Sequence, residues 1–361
     1  MGWKRPLRLL IAGGGTGGHI FIGMALAAEW KRRNEENEIL FVGARGRLEE
    51  KLVPQAGIPL ELLDVSQLKG LPVTQQIKNF FKLPGPLLRC MQIHRAFRPD
   101  VAIGVGGYSS GPAILAAGLR RTPALIVEPN AKPGITNRWL SAWIDRAAVA
   151  FPDTGRYFGR KTRVTGIPVR KEFFQLPQEP AGCSTLLIFG GSQGSRAINA
   201  AAAEAVPWLK TEIPELHVIH QTGPAEFEMY RRCQSDWWTV LPFIDDMAAA
   251  MARATVVVCR AGASTLAELA AAGRCALLIP FPFASDDHQA VNARNLADRG
   301  AARLLLQVEM NARSLFQNLL DLFRHPDQRR KMESSIRRFA NSRSAEMIID
   351  LALGCVHGVA S

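Results

Sequence analysis

Gly13-Gly14-Gly15-Thr16-Gly17-Gly18-His19 follows the apolar run Leu7-Arg8-Leu9-Leu10-Ile11-Ala12. An apolar run that ends in glycines and gives way to a helical pattern reads as a strand, a tight turn and a helix start. Glycine lets the backbone approach a ligand closely, and the first N–H groups of a helix face an anion. A diphosphate or a crowded sugar phosphate suits such a turn. His19, directly after it, brings an imidazole that can accept a proton near neutral pH.

The theme recurs. Gly106-Gly107-Tyr108-Ser109-Ser110-Gly111 and Gly190-Gly191-Ser192-Gln193-Gly194 each follow an apolar strand and open a helix. Ser192 adds a hydroxyl to the backbone donors of its turn, which suits a second anion-binding turn. Another helix start, Ala263-Ser264-Thr265-Leu266-Ala267-Glu268 after Gly262, could face phosphate in the same way, with Glu268 one turn in. A competing reading takes Gly13, Gly15 and Gly18 as a dinucleotide fingerprint. It asks for an acidic residue after the next strand, Ile39–Val42. That strand runs instead into Gly43-Ala44-Arg45, with Glu38 at the wrong end. An arginine there suits a phosphorylated ribose, so this reading stays open.

The elements that must position these turns are legible as alternating apolar runs and helical patterns. The runs are Leu7–Ile11, Ile39–Val42, Glu61–Asp64, Val101–Val105, Ala124–Val127 and Arg146–Ala150, then Thr185–Phe189, His217–Gln221, Thr255–Cys259, Ala276–Ile279 and Ala302–Leu306. Helices are expected between them, among others over Ser195–Lys210, Ser264–Ala272 and Asp287–Arg299. This alternation predicts an α/β protein of two doubly wound, Rossmann-like domains with parallel sheets and an interdomain cleft. The expected boundaries are 1–165 and 166–340, with a C-terminal helix at about 341–361 packing back on the first domain. Gly166-Ile167-Pro168 through Pro177 and Pro180 reads as the linker.

Charge divides the chain as well. The first 163 residues carry 24 basic and 12 acidic side chains, the remainder 20 of each, so the whole excess of +12 lies in the N-terminal half. That half is expected to face a polyanion. Residues 67–89 interleave Ile77, Phe80, Phe81 and Leu83 with Lys69, Lys78, Lys82 and Arg89, which suits a patch lying on anionic lipid. No nucleic-acid motif is present. The six cysteines (Cys90, Cys183, Cys233, Cys259, Cys275, Cys355) are scattered and read as bland thiols of a reducing compartment. No apolar run approaches the ~18 residues of a membrane span, and the run behind Lys4, Arg5 and Arg8 is too short for a signal peptide.

Eight blocks together resemble the MurG family of glycosyltransferases. They are GGGTGGHI (13–20), GVGGYSSGP (104–112), EPNAKPGITNR (128–138), GIPVR (166–170), GGSQGSRAIN (190–199), PFIDDMAAAMARA (242–254), CRAGASTLAELAAAG (259–273) and DDHQAVNA (286–293). The resemblance covers nearly the whole chain. It implies a GT-B fold that moves N-acetylglucosamine from UDP-N-acetylglucosamine to lipid I, a polyprenyl-diphosphate-linked muramyl peptide, to give lipid II for peptidoglycan. The acceptor and the membrane fall to the first domain and the nucleotide sugar mainly to the second.

The same resemblance implies roles. Glu268 binds the ribose hydroxyls, the backbone of Ile244 meets the uracil, and Gln289 reads sugar hydroxyls. Arg170 contacts the nucleotide sugar, Asn130 approaches the reacting sugar, Thr16, Gly17 and Gly18 bind substrate, and Tyr108 lies on the acceptor side. His19 is the candidate general base for the acceptor hydroxyl, with Glu128 a second carboxylate to test. One direct displacement would invert the anomeric centre. Asp245-Asp246 and Asp286-Asp287 read as helix-start charges, so neither a metal nor a cofactor is expected. Expected partners are both substrates, the anionic membrane surface and other cell-wall or division proteins, at the cytoplasmic face of a bacterial membrane. Two residues depart from the family pattern: Ile22 stands in place of a proline and Pro129 in place of a glutamine. A UDP-N-acetylglucosamine epimerase on the same fold, a dinucleotide-dependent oxidoreductase and a non-catalytic nucleotide-sugar-binding or scaffold protein are the alternatives.

Overall fold

The structure is a computed structural model that describes residues 5–65, 84–178 and 184–357. The patch residues Lys69, Ile77, Lys78, Phe80, Phe81, Lys82 and Leu83 lie outside the described residues, as does Cys183. The chain forms two compact units, Met1–Val169 with Asn341–Ser361, and Arg170–Ala340.

The first unit is built on seven parallel strands in the order β3-β2-β1-β4-β5-β6-β7. They are β1 (Arg8–Gly13), β2 (Glu38–Ala44), β3 (Leu60–Leu63), β4 (Val101–Gly106), β5 (Ala124–Glu128), β6 (Arg146–Val149) and β7 (Thr162–Val164). Leu9, Leu10, Ile11 and Ala12 are buried, as a strand covered on both faces requires. β1 sits between β2 and β4, with Leu9 in register with Ile39 on one side and Val101 on the other. Helix α1 (Gly17–Arg33) starts on an N-cap from Thr16 and ends on Lys31, Arg32 and Arg33, whose charges suit its C-terminal dipole. Ile22 is buried in this unbroken helix, so the residue standing for a proline simply fills core. The C-terminal helix, Ser344–Val356, belongs to this unit: Arg33 pairs with its Asp350 at 2.8 Å, and Asn341 donates to the Thr165 carbonyl at 2.8 Å.

The second unit has six parallel strands in the order β10-β9-β8-β11-β12-β13. They are β8 (Thr185–Phe189), β9 (His217–Gln221), β10 (Trp238–Leu241), β11 (Val256–Cys259), β12 (Ala276–Leu278) and β13 (Arg303–Leu304). Two strands were not anticipated: Thr162-Arg163-Val164 has no apolar run, and Trp238-Thr239-Val240-Leu241 has one that was not read as a strand. Both β7 and β10 are short edge strands, and an edge strand needs apolar side chains on only part of its surface. The stretch expected as a linker is also more structured than its prolines suggested. Phe173 is fully buried, and the buried Arg274 guanidinium donates to the carbonyls of Pro177 and Gln178, which fastens residues 170–178 to the second unit.

Candidate functional site

Strand order reverses between β1 and β4 in the first unit and between β8 and β11 in the second. Ligands of doubly wound sheets bind beyond the carboxyl ends of the strands at that reversal. All four strands lead there into glycine-containing turns.

In the first unit the turns after β1 and β4 lie backbone against backbone. Gly14 N–H donates to the Gly106 carbonyl at 3.2 Å, and a Cβ on Gly107 would collide with the Gly14 carbonyl. His19 rests on this pair. Its Nδ1 is 3.2 Å from the Gly14 carbonyl oxygen and 3.1 Å from Thr16 Oγ1. A carbonyl only accepts, so the hydrogen belongs on Nδ1 and the basic lone pair on Nε2. A Cβ at Gly106 would stand 2.7 Å from Nε2; its absence admits the ring.

Two donors of the first turn are used within the protein. Gly14 N–H is spent on Gly106, and Gly15 N–H points at the carboxylate of Glu49, 3.0 Å from Oε2 and 3.2 Å from Oε1. The first-turn N–H groups of α1, at Gly17 and Gly18, are what the turn offers an anion. Tyr108 is half-buried in the β4 turn.

Glu128, at the end of β5, is buried within its own loop. Oε1 accepts from Asn130 N at 2.9 Å and Asn130 Nδ2 at 3.1 Å, while Oε2 accepts from Asn137 Nδ2 at 2.8 Å and Gly134 N at 3.3 Å. Burial pushes this carboxyl up from its ordinary range, and the four donors pull it back. Its evident work is to shape residues 128–137 and so place Asn130, whose carbonyl also accepts from Thr154 Oγ1 at 3.2 Å. Pro129, beside it, is buried and leaves these four bonds intact.

The second unit repeats the interlock with other partners. A Cβ on Gly194 would collide with the Thr222 carbonyl, and one on Gly223 with the Gln193 carbonyl. Ser192 is exposed in this turn, and the N-cap of the following helix, α2 (Arg196–Glu212 in the second unit), is Ser195. Gln221 bridges two parts of the site: its Nε2 donates to the Gly191 carbonyl at 2.8 Å and its Oε1 accepts from Ile244 N at 3.3 Å. The Ile244 N–H is thus engaged within the protein. Arg260, directly after β11, is buried and donates to Ser195 Oγ at 2.6 Å, Gln307 Oε1 at 2.7 Å and the carbonyls of Ile279 and Pro280 at 3.1 Å. Burial lowers its pKa to about 10.

Helix α3 (Ala263–Ala272) begins on Gly262 with no side-chain cap, so backbone donors alone meet whatever lies ahead of Ala263, Ser264 and Thr265. Leu266 is buried under the helix, with Ala267 half-buried beside it. Glu268 sits on this helix with its pKa raised to about 7, chiefly by burial; Arg170 opposes that rise and Glu172 adds to it. Gln289, on α4 (His288–Ala297), accepts from Phe281 N at 3.0 Å, which ties the segment after β12 to that helix. The two acidic pairs behave differently. Asp246 caps its helix through Ala249 N at 2.9 Å, whereas Asp287 holds an N-cap position in left-handed backbone with no side-chain cap bond. Both pairs stand at helix starts, as read, and Asp286 and Asp287 do so in left-handed backbone, at φ of 56° and 57°.

Glu49, Gln221 and Arg260 were not singled out from sequence. The three had a common signal, a polar residue at or just after the carboxyl end of a core strand or in the first turn beyond it.

The Glycosyltransferase family 28 N-terminal domain matches residues 9–149, and the Glycosyltransferase family 28 C-terminal domain matches residues 185–348. A UDP-N-acetylglucosamine–N-acetylmuramyl-(pentapeptide) pyrophosphoryl-undecaprenol N-acetylglucosamine transferase of Syntrophus aciditrophicus is 41% identical over 357 residues, covering 97% of this chain and 99% of that one. The crystal structure of Acinetobacter baumannii MurG superposes with a TM-score of 0.80 at 31% identity, over 96% of this chain and 99% of that one. A UDP-GlcNAc 2-epimerase from Neisseria meningitidis has a TM-score of 0.67 at 12% identity, over 96% of this chain and 100% of that one, a likeness of fold alone. With two glycine-locked switch points and near-complete coverage by such relatives, the chain belongs to glycosyltransferase family 28 and, within it, to the MurG family of N-acetylglucosamine transferases.

Proposed function

We propose that this protein transfers N-acetylglucosamine from UDP-N-acetylglucosamine to the C4 hydroxyl of the muramyl sugar of lipid I, giving lipid II. The observation that carries this reading is the identity of about two residues in five, along nearly the full chain, to transferases named for that reaction. The site chemistry agrees with it. His19 Nε2, with its lone pair set by the Nδ1–Gly14 contact, takes the proton of the attacking hydroxyl. The hydroxyl oxygen then displaces UDP from the anomeric carbon in one step, with inversion. Charge developing on the diphosphate is met by the backbone of the Gly190–Gly194 turn, by Ser192 and by the uncapped start of α3 from Gly262 to Thr265. Glu268 and Arg170 hold the ribose end, and Ile244 meets the uracil through its carbonyl, since Gln221 holds its N–H. The Gln289 amide nitrogen faces a sugar hydroxyl, and Thr16, Gly17, Gly18, Tyr108 and Asn130 face the acceptor.

The protein works peripherally, on the cytoplasmic face of the membrane that carries its acceptor, in reach of other cell-wall proteins. In the first unit Trp139 is 74% exposed and Trp143 43% exposed, and Gly118 packs Leu119's helix against Trp143. Arg138 directly precedes Trp139, and Arg120 and Arg121 follow the exposed Leu119. Tryptophan with flanking arginine suits a bilayer interface.

The deciding experiment measures UDP release from UDP-N-acetylglucosamine with and without a short-chain lipid I analogue, in EDTA. Release that requires the acceptor and yields a disaccharide supports the transferase. Tight binding of the nucleotide sugar without release would leave a non-catalytic binder in its place, and acceptor-independent release of free sugar would point to an epimerase.

A further inference from the structure

The geometry points to Glu49 as the positioning residue for His19, acting through the backbone of Gly14 and Gly15. This inference rests on the reading of His19 as the base. Glu49 is fully buried, and two independent segments are shaped around it. A Cβ on Gly14 would collide with its carboxylate, and a Cβ on Gly43 would lie 2.7 Å from its Cγ. Its oxygens accept from Gly15 N at 3.0 and 3.2 Å and from Ala44 N at 3.0 Å. The carboxylate therefore ties the end of β2 to the turn after β1 and holds that turn from one side.

The other side of the same turn is held by the Gly106-Gly107 backbone. Gly14 is wedged between the two. Its carbonyl is the acceptor that keeps the hydrogen of His19 on Nδ1. The place that a ligand phosphate takes in other glycine-rich turns is thus filled at Gly15 by the protein's own anion. Its consequence is an imidazole fixed in tautomer and direction before the acceptor arrives. Glu49 acts here by placing the Gly14 carbonyl on which the His19 ring rests.

E49Q is the test, made in the full chain. Glutamine keeps the shape but turns an amide N–H2 toward either Gly15 N–H or Ala44 N–H, where two donors meet. The expected result is a fall in kcat of about 10²-fold, as for a small misplacement of a reacting group, with KM for UDP-N-acetylglucosamine unchanged. In an H19A background the same substitution is expected to change kcat by less than about twofold, because the group it positions is gone. The ¹⁵N shifts of the His19 ring are expected to report Nδ1–H in the parent and a mixture of tautomers in E49Q. Full additivity with H19A, or an unchanged ring tautomer, would overturn the proposal. Parent-like kcat in H19A alone would instead remove the base reading, and the ring shifts still decide whether Glu49 sets the tautomer. If E49Q does not fold, E49D, which withdraws the carboxylate by one methylene, goes through the same cycle: non-additivity with a mixed tautomer supports the proposal, and additivity or an unchanged tautomer overturns it.

Discussion

Arg170 Nη2 stands 3.9 Å from Glu268 Oε1, across the start of the second unit, while its Nη1 lies 3.5 Å from Glu172 Oε1. One guanidinium thus divides its charge between an exposed glutamate and the carboxylate assigned to the ribose. Arg170 also lies over the Phe173 ring, its Cζ 4.9 Å from the ring centroid, which braces it against the buried anchor of its own segment.

With Glu268 on the ribose as proposed, its raised pKa, about 7, is expected to make nucleotide binding pH-dependent. Ribose hydroxyls donate, so the ionised carboxylate is the binding form, and affinity for UDP-N-acetylglucosamine is expected to rise as pH passes upward through 7. The unliganded protein should respond in the opposite sense. A carboxyl whose folded pKa lies above its unfolded value binds more protons when folded, so its contribution to stability declines between the two values as pH rises. E268Q is expected to unfold at higher temperature than the parent at pH 8 and to bind the nucleotide sugar more weakly, by about 1–3 kcal/mol. Calorimetry at pH 5.5 and 8 reads both effects; equal affinity at the two pH values would exclude Glu268 from the ribose.

H19A is expected to lower kcat by about 10²–10⁴-fold, the span of general acid–base catalysis. Nucleotide-sugar affinity should hardly change, because every residue assigned to the nucleotide lies in the second unit. Steady-state kinetics with varied donor and fixed acceptor separates the two effects.

Q221A should reveal a residue that acts through its neighbours. Losing the bridge frees the Gly191 carbonyl and the Ile244 N–H together, and donor affinity is expected to fall by about 1–2 kcal/mol. The change should appear in UDP binding as strongly as in UDP-N-acetylglucosamine binding, since the bridge lies at the nucleotide end. A loss confined to the sugar would refute that placement.

Among the glycines, position decides the outcome. G46A has open space around its Cβ and only its φ of +71° to contend with, so a cost of about 1–2 kcal/mol is expected from the left-handed backbone. G194A meets the Thr222 carbonyl as well and should cost clearly more. Thermal melts of the two variants side by side test the ranking.

If the exposed tryptophans seat the protein on lipid, W139S combined with W143S should weaken binding to anionic vesicles by about 1 kcal/mol or more. Activity on a short-chain, soluble acceptor should stay near that of the parent. Co-sedimentation with vesicles of stated anionic content measures the first, and UDP release the second.

How much of this was open to inspection in the sequence depended on whether an element works alone. Core strands such as β1, β4 and β8 declared themselves because a strand covered on both faces must be a continuous apolar run, and the glycine turns because their backbone has no alternative residue. Strand β7, three residues of mixed character, did not, and the short run of β10 was passed over between two turns. The supporting residues were hidden for a different reason. Glu49 lies 34 positions from Gly15, and Gln221 lies 23 from Ile244, so each acts on a partner that only folding brings near. A glutamate in a first turn looks like an ordinary dipole partner until the turn it holds is placed beside it. That Gly14 and Gly15 spend their N–H groups inside the protein was hidden for the same reason.

The backbone-on-backbone seams, Gly14 against Gly107 and Gly194 against Thr222-Gly223, also bear on how such proteins diverge. Contacts between side chains can drift as pairs, one shrinking while the other grows. Here neither partner can shrink, since glycine is already the smallest residue, so no compensating change exists for either. In an alignment of descendants these contacts, among the tightest in each unit, should show no covariation at all. Methods that infer proximity from correlated substitution would be blind to the joints that hold both switch points together.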